Sequence, residues 1–216
     1  MEERNVTISL SRAKEWFNSG NATLKEIALQ AFSKEEIIGD FRDITTLKKA
    51  CEVLGIYYEA VVIRANEMAE TSRASAAMFK LNIIRKALNL GQDLHLTKNP
   101  EDSYIYYPYN PFVTKSSTYY KSEINSGKME VIGKIKGEGE EYNVLGGGAS
   151  NGGPAGLGYF DSSIGVGYAF ADFGLFGCAT KEIAQHLGKY FGMLITIAKY
   201  ADIIKDFEVI ESKYII

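Results

Sequence analysis

The chain has 216 residues, of which 46% are hydrophobic, and a formal net charge of −3. This length is enough for one large or two small globular domains, and the acidic balance argues against a dedicated nucleic-acid binder. No run of 18 apolar residues is present and the first ten residues lack an apolar core, so the sequence predicts neither a membrane span nor a secretory signal. Nucleic acid and membranes are therefore not expected partners.

The first 96 residues predict a helical module. A first helix over 9–18 is capped by serine, and capping boxes that begin at Thr23 and Ser33 predict the next two helices. Another helix is predicted over 44–54. Helices of about ten residues are marginal alone, so these must pack against one another or against a partner.

The longest helical pattern lies between residues 56 and 90. Ala77, Leu81, Ile84 and Leu88 recur at spacings of four, three and four, which places them on one helix face. The pattern breaks near 70–75. The sequence therefore predicts two helices, or a helix and a loop, with an apolar face on the second part.

Strand patterns begin after residue 97. Tyrosines and prolines favour a strand over 104–107, and Met129, Val131 and Ile135 alternate with charged residues in a second strand. Further strands are predicted over 142–145 and 165–176.

A long apolar helix is predicted to begin after Thr180 and to extend to Ala201, followed by an edge strand over 207–210. The predicted fold class is therefore α+β: an N-terminal bundle of short helices, then a β module rich in Gly and Tyr with a long packing helix near the C-terminus. The expected division is a helical module over 1–96 and a β module with the C-terminal helix over 97–216.

The glycines are concentrated in the predicted β module, with 14 of the 21 between Gly133 and Gly177. The cluster over 146–153 lacks the lysine of a phosphate-binding loop and no helix follows it, so it predicts a turn rather than a nucleotide site. The glycines over 156–177 fit either close approach of chains in an intertwined oligomer or β-bulges.

No catalytic constellation stands out. Cys178, His186 and Asp172 could form a nucleophile set, with the pKa of Cys178 lowered by the following helix N-terminus. Cys178, however, has apolar neighbours typical of a core residue, and His186 is predicted to lie on the charged side of its helix. With two histidines and two separated cysteines, a zinc site is not expected either. The sequence predicts no catalytic residue, no metal, no cofactor and no enzymatic activity.

Aromatic residues provide the candidate interaction sites. Seven of them lie between residues 104 and 120, where three alternatives stand: a strand half buried in the core, a subunit interface, or a platform for sugar rings. Trp16, Phe32 and Phe41 lie on the short N-terminal helices, and large aromatics dominate interface energies. The candidate protein-interaction residues are Trp16, Phe32, Phe41, Tyr106, Tyr107, Tyr109, Tyr119 and Tyr120.

Several segments together resemble virion proteins of crAss-like bacteriophages that infect gut Bacteroidales. The resemblance is carried by ISLSRAKEWFNSGN and LKEIALQAF in the first 32 residues, by DITTLKKACEVLG, by FKLNIIRKALN, by YYPY and by the helix from Thr180. The segment 146–178 contributes least to it.

The resemblance implies a non-enzymatic virion structural protein, best read as a capsid-anchored head fibre or surface decoration. A tail fibre or collar component and a carbohydrate-binding receptor module are the alternatives. Expected partners are phage capsid proteins, further copies of the chain in a homo-oligomer (a dimer or trimer), and host surface glycans. The expected location is the virion, after synthesis in the host cytoplasm. The N-terminal helices are expected to attach, the β module to be exposed, and residues 1–55 to be dispensable for folding.

Overall fold

The structure is a computed structural model that describes residues 7–90, 104–108, 110, 112–114, 116–118, 120–127, 129–147, 157–161 and 177–214. In chain order the helices are α1 (Leu10–Asn18), α2 (Ala22–Ala31), α3 (Lys34–Ile38), a 3₁₀ turn (Phe41–Asp43), α4 (Leu47–Leu54), α5 (Tyr58–Ala69), α6 (Arg73–Leu88), α7 (Lys121–Asn125), α8 (Lys181–Tyr190) and α9 (Gly192–Tyr200). The strands are β1 (Tyr104–Pro108), β2 (Phe112–Thr114), β3 (Met129–Gly137), β4 (Glu140–Gly147), β5 (Leu157–Asp161) and β6 (Glu208–Ser212). The predicted α+β class is confirmed.

Short polar side chains start most of the helices, because they satisfy backbone amides that have no partner inside the helix. The capping box at Ser33 is confirmed, since its hydroxyl accepts from the amide of Glu36 while the Glu36 carboxylate accepts from the amide of Ser33. The predicted cap at Thr23 is wrong. Asn21 caps α2 instead, and its side-chain oxygen accepts from the amides of Thr23 and Leu24.

The predicted face of α6 is confirmed. Ala77, Leu81, Ile84 and Leu88 are all buried. The predicted break lies between Ala69, where α5 ends, and Arg73, where α6 begins after its Ser72 cap.

Four strands form an antiparallel sheet in the order β2-β4-β3-β6, and β1 pairs with β5 in a separate antiparallel ribbon. The predicted C-terminal edge strand is confirmed as β6. Val131 pairs with Leu145 and Gly133 with Val144, so Ile132 is the extra residue of a bulge. The bulge corrects the predicted alternation of β3, because Ile132 and Ile135 enter the same core while Val131 stays exposed.

The C-terminal helical segment is present as two helices that meet at Phe191, whose backbone is not helical. Both helices lie close to the strands. A Cβ added at Gly188 would lie 3.0 Å from the Cβ of Pro108, and one at Gly192 would overlap the amide of Asn110. Glycine at these two positions therefore permits the close helix–strand approach.

Three clusters of buried side chains hold the described residues together. The main cluster combines Ile44 and residues of α4 and α6 with Cys178 and residues of α8 and α9. A second cluster lies between the sheet and α9 and includes Ile132 and Ile135. A third, smaller cluster belongs to α1–α3. The main cluster contains residues from both sides of residue 96, and the division into two domains at that point stays a prediction.

Candidate docking groove of the N-terminal helices

A groove of about 580 Å³ runs between α1 on one side and α4 on the other, closed at one end by the segment 37–44. Its wall on the α1 side includes Lys14 and Asn18, and its wall on the α4 side includes Lys49 and Val53. We call this feature the N-terminal groove. It has the dimensions of a site that can receive part of another molecule.

The N-terminal groove has an apolar floor and a polar rim. Ile37 and Ile44 are buried beneath it, and Ile38, Val53 and Leu54 are half-buried along it. The rim residues are exposed and charged: Lys14, Glu15, Asp40, Asp43, Lys49 and Glu52. An apolar centre with a polar margin is the usual anatomy of a protein–protein contact.

Most rim charges are already paired. Glu15 binds Arg12 at 2.9 Å, Asp40 binds Arg42 at 2.9 Å and Glu52 binds Lys49 at 3.3 Å. Hydrogen bonds from the backbone amide and then the guanidinium of Arg42 hold the pKa of Asp40 below its ordinary value. Lys14 and Asp43 make no side-chain hydrogen bond or ion pair within the described parts of the chain, so they are the rim charges available to a partner.

The α1 side of the groove is a small helical unit with its own core. Ala13, Phe17, Ala28 and Ile37 form that core, and Trp16 and Phe32 are half-buried against it. A hydrogen bond from Asn18 Nδ2 to the carbonyl of Val53, 3.3 Å long, joins α1 to α4 across the groove. The groove therefore lies between the α1–α3 cluster and the main cluster.

The three aromatic residues predicted on the N-terminal helices do not form one surface. Trp16 and Phe32 pack on the α1–α3 cluster, with the guanidinium of Arg12 5.8 Å from the centre of the Trp16 ring. Phe41 packs on the main core and meets His186 edge-to-face at 5.6 Å between ring centres. Each is half-buried, so part of each ring is structural.

The predicted tyrosines are placed only in part. Tyr106 and Tyr107 lie in β1, and nothing is described of their side chains. Tyr109 and Tyr119 lie outside the described residues. Tyr120 is half-buried and adopts a left-handed backbone, with φ of 59°, directly before α7. The role of the eight aromatic residues in binding stays a prediction.

His186 is part of an arrangement that sequence reasoning missed. The expectation of a surface position is wrong, because the imidazole is buried and its Nε2–H donates to the carbonyl of Ile44 at 2.8 Å. The centre of the Tyr190 ring lies 4.5 Å from the centre of the imidazole, and the centre of the Tyr214 ring lies 4.9 Å from that of Tyr190. Burial is the main cause that holds the pKa of His186 below its ordinary value.

The rings of Phe41, His186, Tyr190 and Tyr214 form a row, which ends in a charged cluster. The hydroxyl of Tyr214 donates to Glu130 at 2.8 Å, and Glu130 is also bound by Lys213 and lies 3.5 Å from Lys189. Burial acts to raise the pKa of Glu130, but these donors and cations outweigh it and leave the pKa below its ordinary value. His186 and Tyr190 lie one turn apart on α8, but Phe41 and Tyr214 come from distant parts of the chain, so no local motif signals the whole row.

Cys178 is not the activated thiol that the helix N-terminus suggested. The side chain is fully buried, and burial raises its pKa to about 12, so it stays protonated. Asp172, the third member of the imagined set, lies outside the described residues. Among the residues that the structure describes, no group of three or more metal-binding side chains occurs.

Within the described segments, no helix is both long and apolar enough to cross a membrane. Comparisons with protein-family models, with curated proteins and with solved structures find no match to this chain.

Proposed function

We propose that the chain is a bacteriophage virion structural protein of the head-fibre type, which attaches to the capsid through the N-terminal groove and has no enzymatic role. The observation that carries this proposal is the groove itself, with its apolar floor over Ile37 and Ile44 and its charged rim. Three of the segments that resemble proteins of crAss-like phages fold into α1, α2 and α4, which build or support the groove.

Attachment would use the two parts of the groove differently. Burial of the half-exposed Ile38, Val53 and Leu54 beneath a capsid segment supplies affinity through the hydrophobic effect. Lys14, on the α1 wall, and Asp43, in the segment 37–44, fix the register of the capsid segment. Charge complementarity mainly determines specificity and association rate.

Charge reversals at the groove test the attachment. Lys14→Glu and Asp43→Lys change exposed side chains without removing core atoms, so both variants are expected to keep the wild-type melting temperature within about 2 °C. Each is expected to reduce incorporation into fibre-deficient heads by roughly tenfold, read from gels of purified particles. Glu70→Lys, an exposed position at the end of α5 outside the groove, is the matched control and should incorporate normally.

Folded Lys14→Glu and Asp43→Lys proteins that join heads as efficiently as the control would remove the groove from the attachment. Absence of the wild-type protein from purified heads would overturn the virion role as a whole.

A further inference from the structure

A second cavity, of about 430 Å³, lies on a different part of the helical region, where α4, α5 and α6 meet. Lys80 of α6 lies on one side of it and Lys48 of α4 on another. We call it the Lys80 pocket. It does not share a lining residue with the N-terminal groove, and its interpretation does not rest on the proposed virion role.

The polar lining of the Lys80 pocket consists of groups that can donate hydrogen bonds. Lys48 and Lys80 provide ammonium groups, Thr46 and Tyr58 provide hydroxyls, and Asn66 provides an amide. No carboxylate occurs among the described residues that line it. The first turn of α4 also borders the cavity, and the partial positive charge of a helix N-terminus adds to that of the two lysines.

The positive charge of Lys80 is uncompensated. Its side chain is half-buried, and within the described residues it makes no ion pair and no hydrogen bond. Burial lowers the pKa of Lys80 from its ordinary value. By contrast, Lys49, which borders the N-terminal groove, has Glu52 as its partner at 3.3 Å. A half-buried ammonium without a counterion gains more from a bound anion than an exposed one does, because water screens it less.

The remainder of the lining is apolar. Leu47 and Val62 contribute aliphatic surface, and the Tyr58 ring adds an aromatic face. An inorganic anion would leave these groups in contact with water, whereas a carboxylate attached to an apolar body would cover them.

From this combination we infer that the Lys80 pocket binds a carboxylate carried on an aromatic or aliphatic body. The carboxylate pairs with the ammonium groups of Lys80 and Lys48 and accepts from Tyr58 or Asn66, while the apolar body lies against Val62 and Leu47. Charge-assisted hydrogen bonds of this kind are about twice as strong as neutral ones, so Lys80 is the principal determinant of affinity.

Phenylacetate is a suitable probe, with the neutral phenylacetamide and the small anion acetate as comparisons. Titrated into the full chain at pH 7 and low salt, phenylacetate is expected to give saturable chemical-shift changes at Tyr58, Val62 and Asn66. Phenylacetamide and acetate are each expected to bind on the order of tenfold more weakly, because one lacks the charge and the other lacks the apolar body.

Three lysine variants test whether phenylacetate binds at the Lys80 pocket. Lys80→Met keeps the length and apolar stem of the side chain and is expected to weaken phenylacetate binding on the order of tenfold or more, whereas Lys80→Arg keeps the charge and most of the affinity. Lys86→Met removes an exposed lysine from the same helix, outside the pocket, and is the matched control that should bind as wild type does.

The wild-type comparison keeps the test decisive even if Lys80→Met does not fold. Saturable binding of phenylacetate with the expected loss for phenylacetamide supports the site. Equal binding of the two compounds, no saturable change with phenylacetate, or an unchanged affinity in folded Lys80→Met would each overturn the inference.

Discussion

The imidazole of His186 connects distant parts of the chain. It lies between the rings of Phe41 and Tyr190, and its Nε2–H donates to the carbonyl of Ile44, more than 140 positions earlier. Asp40 favours the charged imidazolium, while Lys189 and Arg42 oppose it, and burial dominates all three. The neutral imidazole is therefore the form that the folded chain accommodates.

The stability of the protein should depend on pH through His186. Because the pKa of His186 is lower when folded, the unfolded chain binds the proton first, so stability is complete above about pH 6.5 and decreases as the pH falls below it. The slope for one proton cannot exceed about 1.4 kcal/mol per pH unit. Urea unfolding at pH 7.5 and 5.5 measures it.

His186→Phe keeps an aromatic ring in place and should remove this pH dependence. Three described carboxylates also have lowered pKa values: Glu36, Asp40 and Glu130. They affect stability only below about pH 4.5, which lies outside this range. Equal slopes in wild type and His186→Phe would contradict the assignment.

Gly133 is a second single residue on which the fold depends. A Cβ added there would overlap the carbonyl oxygen of Glu211 in β6 and approach Met193 Sδ to 2.7 Å. The methionine side chain can move, but the backbone of β6 cannot do so without loss of strand pairing. Gly133→Ala is therefore expected to lower the free energy of unfolding by about 3 kcal/mol or more, measured by urea unfolding.

Gly127→Ala is the comparison for Gly133→Ala. Nothing lies within 4 Å of its added Cβ, but φ is +72°, so a cost of about 1–2 kcal/mol for the left-handed backbone is expected. A Gly133→Ala protein as stable as Gly127→Ala would show that β6 adapts to the added methyl group.

At the scale of elements, α8 and α9 hold the protein together. Leu187 and Phe191 belong to the main core with α4 and α6, while Met193 of α9 packs on the sheet. The pair of helices thus contacts the N-terminal helices on one side and the strands on the other. The predicted apolar face of the C-terminal segment is confirmed, since Ile183, Leu187, Phe191 and Leu194 are all buried.

Truncation of this face should be costly. Leu187→Ala and Phe191→Ala each remove buried atoms, for which about 2–5 kcal/mol is typical, and the melting temperature is expected to fall by about 4–20 °C in a chain of this size. Ile203→Ala, at a side chain that is 79% exposed, should change it little. Thermal unfolding followed by circular dichroism compares the three, and a neutral effect at both core positions would show that the face is not packed as described.

At the scale of the whole molecule, the contacts of residues 44–50 argue against the expectation that residues 1–55 are dispensable for folding. Removal of residues 1–55 would take Ile44 and Ala50 out of the main core and would remove the buried Cys51. It would also take the carbonyl of Ile44 away from His186. Removal of 1–39 would take away α1–α3, whose buried residues form a cluster distinct from the main one. From the rest of the chain, the half-buried Leu90 packs against that cluster. Residues 1–39 are therefore expected to be dispensable for folding, whereas residues 40–55 are not.

The chain without residues 1–39 should fold and keep the oligomer mass of the full chain, whereas the chain without residues 1–55 should unfold without cooperativity. Light scattering gives the mass, with a homo-oligomer expected for both the full chain and the shorter deletion, and thermal unfolding gives the cooperativity. A cooperative melt of the 1–55 deletion, or a monomeric full chain at micromolar concentration, would contradict these expectations.

Local patterns in the sequence predicted most of the described helices and strands, but not α7, β2 and β5. The capping box at Ser33, the apolar spacing from Ala77 to Leu88 and the apolar face of α8 and α9 each reflect interactions within a few residues of one another. Such interactions can be read from one segment at a time, which is why the α+β class could be predicted.

The tertiary structure decided what depends on residues far apart in the chain. The bulge at Ile132 depends on the partner strand β4, the burial of His186 depends on Ile44 and Phe41, and the N-terminal groove and the Lys80 pocket exist because separate helices meet there. The spacing of residues along the sequence does not indicate which distant residues will touch. The free energy of such a contact depends on which surfaces the whole fold brings together.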